Sequence, residues 1–159
     1  CTTARQVQAK CDELRGMGYE PIVEEYIDGC ECTAAVLNDG SGVRVFPIKV
    51  NIPTEFVTHD VKFSENEVCE PLTDGFLTNI IKYAVEDIFP DCHYMRVDFR
   101  VKDKRVYIID FNLFPGLGPI DHFAKCLALN KNLSYRDVLL AIAGTADCRA
   151  KSTKTTNKK

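Results

Sequence analysis

The sequence has no C-x-x-C pair, no apolar run near the roughly 20 residues that a bilayer-spanning helix needs, and no marked surplus of either charge. Each absence removes a class of function. Without paired cysteines at finger spacing, the eight cysteines read as reduced, mostly buried thiols; Cys30 and Cys32 stand two apart and the others are widely spread. Without an apolar run, and with a start (CTTARQVQAKCDEL) that lacks the apolar centre of a signal peptide, the chain is expected to be cytoplasmic and away from membranes. With 20 basic residues against 23 acidic ones, intermixed along the chain, there is no basic stripe, so nucleic acid is not an expected partner. Neither G-x-x-x-x-G-K-[ST] nor G-x-G-x-x-G occurs, and Asp39-Gly40-Ser41-Gly42 is turn chemistry.

What is present suits one lobe. In 159 residues, 45% of them apolar, a single sizeable core can form. Val7, Cys11 and Leu14 have helical spacing and meet Gly16 and Gly18, predicting a helix over residues 4–17. Residues 21–27, 30–38 and 43–51, rich in β-branched and aromatic side chains and separated by Asp-Gly turns, predict an antiparallel meander. Residues 53–71 are polar and irregular, a long loop of the kind that often carries function. A helix then runs from Asp74 towards Pro90, two strands cover residues 94–101 and 105–112, and helices follow at 121–129 and 135–146, the last capped by Ser134. The lobe spans residues 1–148, and the basic tail 149–159 is expected to be disordered.

Strand parity over residues 96–112 separates two faces. Val97, Phe99, Val101, Tyr107, Ile109 and Phe111 make an apolar face, whereas Arg96, Asp98, Arg100, Ile108, Asp110 and Asn112 make a far more polar one. With the turn centred on Lys104, Asp98 lies opposite Asp110 and Arg96 opposite Asn112, within about 5 Å. Two opposed carboxylates need a compensating cation, and Asp, Asp and Asn are the hard oxygen ligands that magnesium takes while leaving positions for phosphate. Arg96 beside them suits an oxyanion, and Gly116, just past the strand, can bring a backbone N–H near one. The alternative from parity alone is a solvated hairpin face with ordinary surface charges.

Taken with Val23-Glu24-Glu25-Tyr26-Ile27-Asp28-Gly29, Glu31-Cys32-Thr33, Arg96-Val97-Asp98-Phe99, Ile108-Ile109-Asp110-Phe111-Asn112, Pro115-Gly116 and Ser134-Tyr135, the chain resembles the ATP-grasp superfamily, and within it the D-alanine–D-alanine ligases. The resemblance implies an α+β carboxy-terminal ATP-grasp lobe, an antiparallel sheet with helices packed on one side. It implies that Glu24, Glu25, Tyr26 and Ile27 meet the adenine, Glu31 holds the ribose, and Lys62 contacts phosphate. Asp98, Asp110 and Asn112 match metal ligands for magnesium or manganese, Arg96 matches a charge-stabilising arginine, and the Gly116 N–H completes the oxyanion site. The implied activity is ATP-dependent ligation of small amino-acid substrates through an acylphosphate. The first-substrate domain and the glycine-rich lobe are then expected to precede Cys1, leaving this chain inactive alone; the resemblance also allows a homodimer. Two departures stand out: Asp110 where the ligases carry Glu, and Asp121-His122 where they place a serine and an apolar residue. The second keeps open another ATP-grasp ligase with a different amino acceptor, and a non-catalytic ATP-binding module is the other alternative.

Overall fold

The computed structural model describes residues 1–51 and 67–156, with side chains as far as residue 146. Among the described residues, nine elements occur in the order α1 (Ala4–Gly16), β1 (Cys30–Asn38), β2 (Val43–Asn51), β3 (Val68–Pro71), α2 (Gly75–Ile88), β4 (Tyr94–Lys102), β5 (Arg105–Asn112), α3 (His122–Lys131) and α4 (Tyr135–Thr156). The strands form one antiparallel sheet in the order β3-β2-β1-β4-β5. This is the expected α+β architecture, with one change: helices cover both faces of the sheet.

The pattern of β1 shows why. Residues 32–38 are all buried, as a central strand covered on both sides requires. Cys32, Ala34 and Val36 join Met95, Val97 and Phe99 of β4 against Ile81 and Val85 of α2. Ala35 and Leu37 join Phe46, Ile48 and Val50 of β2 against Phe123, Ala124, Cys126 and Leu127 of α3 and Val138 of α4. The helices at 121–129 and 135–146 thus share one face, while the helix after Asp74 lies on the other.

Local chemistry sets the ends. Thr3 accepts from the Gln6 N–H and Gln6 reaches back to the Thr3 N–H, a capping box. Asp74 caps α2 by accepting from the Phe76 and Leu77 N–H groups. Ser134 caps α4 through the Asp137 N–H, and Asp137 accepts from Ser134 in return.

Three expectations are corrected. Residues 21–27 form no strand, because β1 is already paired on both edges, with β2 and β4, and leaves them no ladder to join. Part of the expected loop, Val68–Pro71, is an edge strand that pairs with β2. Helix α4 runs on to Thr156, into the tail expected to be disordered, since no proline stops it after Ala146 and its residues include the helix formers Arg149, Ala150 and Lys151.

Candidate functional site

The β4–β5 hairpin turns through Asp103 and Lys104, both at positive φ (50° and 60°), the geometry of a two-residue I′ connection. That turn register alone would set Asp98 opposite Ile109. A β-bulge intervenes: Phe99 pairs with Ile108, Asp98 with Asp110, and Ile109 is the extra residue. The two aspartates therefore face one another as expected, by a different route. The bulge also reverses the faces on its turn side. Val106 and Ile108 pack with the α2-side core, whereas Ile109 is 49% exposed and lines the polar cleft, contrary to simple parity.

This cleft, of about 570 Å³, is lined by Tyr26, Glu31, Arg96, Asp98, Ile109, Asp110 and Asn112, among others. Six sequence-predicted site residues are thus brought together on the sheet face that also carries α3. The expected cation between the carboxylates is partly supplied from within. Arg96 Nε donates to Asp98 Oδ1 at 2.9 Å and Arg96 Nη2 to Oδ2 at 2.7 Å, while Thr33 Oγ1 donates to Oδ1 at 2.6 Å. Burial pushes the Arg96 guanidinium down, but its bonds to Asp98 outweigh that and hold it above its ordinary value, so it stays charged.

The donor set still suits a hard divalent cation. A carboxylate offers about four acceptor directions, and Asp98 uses two on Oδ1 and one on Oδ2, leaving one on Oδ2. Asp110 is exposed and directly across from it. Asn112 Oδ1 accepts from the Phe114 N–H at 3.1 Å, which orients the amide and leaves a second lone pair. Three oxygen ligands with room for phosphate is the pattern magnesium takes.

On the opposite wall, Arg100 Nη2 donates to Glu31 Oε2 at 3.0 Å, Nη1 donates to the Ile27 carbonyl at 2.7 Å, and the guanidinium lies 4.8 Å from the Tyr26 ring centre. Glu24 and Glu25 are exposed and do not line the cleft. Lys62 lies outside the described residues. Gly116, just beyond β5, is exposed and does not line the cleft either; a Cβ there would meet Asp121 Oδ2 at 2.7 Å.

The departures at residues 121 and 122 are both engaged. Asp121 Oδ2 accepts from the Gly118 N–H at 2.6 Å, bracing the loop after Gly116. His122 Nε2 bonds Glu67 Oε1, and Lys125 Nζ donates to Glu67 Oε2 at 2.8 Å, so His122 is a partner of a nearly buried carboxylate. Sequence reasoning gave Thr33 and Arg100 no role of their own and missed Glu67 altogether. Thr33 shares a strand face with Glu31, which parity would have found; Glu67 carries no sequence signal, because only the β2–β3 pairing sets it beneath α3.

A family model described as the D-ala D-ala ligase C-terminus matches residues 1–143. A D-alanine–D-alanine ligase of Fervidobacterium nodosum is 33% identical over 105 residues, covering 62% of this chain and 33% of the relative. Ligase A of Bacillus cereus is 29% identical over 134 residues, covering 80% of this chain and 42% of the relative. Among solved structures, the Bacillus anthracis ligase complexed with ATP superposes with a TM-score of 0.69 at 18% identity, over 94% of this chain and 49% of that one. The chain thus spans between a third and a half of the length of these proteins.

Proposed function

The chain belongs to the family of D-alanine–D-alanine ligase carboxy-terminal domains, and from that premise we propose that it is the ATP- and metal-facing lobe of a carboxylate–amine ligase. The observation that carries this reading is the single cleft that gathers Glu31, Arg96, Asp98, Asp110 and Asn112 on one sheet face. The ATP bound by the similar Bacillus anthracis ligase supports the nucleotide assignment. Substrates are small amino acids, and the remainder of the ligase supplies the opposite wall of the site.

In the proposed reaction the γ-phosphoryl group passes from ATP to a substrate carboxylate, ADP leaves, and an amine attacks the acylphosphate carbon to form the C–N bond and expel phosphate. Asp98, Asp110 and Asn112 would hold magnesium or manganese, which when bound supplies positive charge to the phosphate oxygens. Arg96, fixed by Asp98, keeps further N–H donors for the charge that builds on the transferring group and on the tetrahedral carbon's oxygen. Tyr26, Ile27 and Glu31 form the nucleoside end, with Glu24 and Glu25 just upstream; Lys62, outside the described residues, is assigned to phosphate by the family resemblance alone. The Gly116 N–H, which lies outside this cleft, would complete the oxyanion site only once the remainder of the ligase is in place. A different amino acceptor from D-alanine is the second reading, favoured by the Asp121 carboxylate packed against Gly116, where a substrate carboxylate would be repelled.

The test is a thermal-shift titration with Mg-ATP. At a hundredfold excess over its dissociation constant, ligand stabilises by about 2.7 kcal/mol. Wild type should gain this, and Asp98→Asn/Asp110→Asn should not. Asp110→Asn alone guards against misfolding, since Asp110 is exposed, and it should lose most of the shift. A wild type that stays folded and gains nothing from Mg-ATP, both as this lobe and when joined to the remainder of the ligase, defeats the proposal.

A further inference from the structure

We propose that Arg100 is a positioning residue that fixes the nucleoside wall of the cleft, anchoring the Tyr26–Ile27 backbone and orienting Glu31 so that its Oε1 is left for a ribose hydroxyl. The nucleotide half of this inference rests on the function proposed above; the anchoring half does not.

Residues 19–28 are irregular, and β1 has both edges occupied, so this stretch gains nothing from the sheet ladder. Its carbonyls need other partners. Arg100 provides one by donating Nη1 to the Ile27 oxygen at 2.7 Å, while the same planar group donates Nη2 to Glu31 Oε2 at 3.0 Å and stacks 4.8 Å from the Tyr26 ring centre. Glu31 and Arg100 are direct cross-strand partners of β1 and β4, so the pair sits on rigid elements.

An ordinary exposed ion pair contributes little, but here the Arg100 side chain is 15% exposed and one fork serves three contacts at once. Gly29 lies against β4 as well: a Cβ there would meet the Val101 carbonyl oxygen at 2.7 Å, so the chain enters β1 packed closely on the strand that carries Arg100. Arg100 engages Glu31 Oε2 and Glu31 lines the cleft, so the carboxylate is restrained while its other oxygen is left for a ligand. Lysine at this position keeps the charge but has no fork, and so cannot hold the Ile27 carbonyl and Glu31 together.

The experiment has two arms on the same chain. In the first, without nucleotide, a glutamate-specific protease is timed at Glu24 and Glu25 in wild type and Arg100→Lys. The variant should be cut about tenfold faster, with an unchanged melting temperature. Equal rates overturn the anchoring role. In the second, Mg-ATP is compared with its 2′,3′-dideoxy analogue. Wild type should prefer ATP, Glu31→Gln should lose the preference, Arg100→Lys should lose it equally, and the double variant should lose no more. An Arg100→Lys chain that retains the wild-type preference overturns the orienting role. If wild type binds neither nucleotide, both as this lobe and when joined to the remainder of the ligase, the ligase reading and the orienting role fall with it, while the protease rates still decide whether Arg100 anchors the wall.

Discussion

Glu67 is nearly buried although the next residue, Val68, is exposed: its side chain is 4% exposed, between His122 and Lys125. Burial pushes its carboxyl up, but the Lys125 ammonium and the His122 imidazole outweigh burial and hold it below the usual value of 4.5. A carboxyl with a folded value below its unfolded one stabilises the fold in full above the unfolded value, and that contribution is lost as pH falls through the depressed one. The tie between β3 and α3 should therefore hold at neutral pH and weaken below about 4.5. Urea midpoints for wild type and Glu67→Gln should differ at about pH 6 and converge towards pH 3. A constant difference across that range would show that the ion pair contributes nothing. The thiols behave oppositely: burial pushes Cys32 and Cys126 far up, which keeps both protonated and inert near neutrality.

At the scale of an element, the β4–β5 hairpin shows what a pattern can and cannot reveal. Alternation along residues 96–112 exposed a face too polar for a core, and the structure sets Asp98 across from Asp110 and Arg96 across from Asn112 as expected. The bulge at Ile109 was not legible, because it results from a turn one residue shorter than the sequence reading assumed, and turn length is decided by two residues at positive φ that are not glycine. Lys104 at φ 60° is strained for an L-residue. Lys104→Gly restores the Asp-Gly pair that I′ turns favour and should raise stability by about 1 kcal/mol without moving the bulge. Chemical denaturation tests the gain, and an unchanged Mg-ATP response tests whether the aspartates remain opposed. The helix ends were more legible: Asp74 and Ser134 cap as their residue types predict, because capping depends on neighbours within one turn.

Over the whole molecule, stability is concentrated in the sheet. Phe99 is 1% exposed between β1, β4 and α2, and Phe99→Ala should cost about 3–5 kcal/mol in denaturant unfolding. Helix α1 buries one residue, Cys11, so Thr3→Ala, which breaks its capping box, should speed amide exchange in α1 and leave the global midpoint in place. An equal loss of midpoint in both variants would mean that α1 folds as part of the sheet unit. The sequence by itself determined the four helices, the strands β1, β2, β4 and β5, the Ser134 cap, the opposed carboxylates and the family, because all of these rest on residue types at short, fixed spacing. Only the tertiary structure decided that helices cover both faces, that residues 21–27 find no strand partner, that Arg96 closes on Asp98, and that Arg100 and Glu67 hold the cleft and α3. Each of those depends on which distant segments meet, and the energy of a meeting between residues some 70 positions apart, such as Ile27 and Arg100, is written in no local pattern.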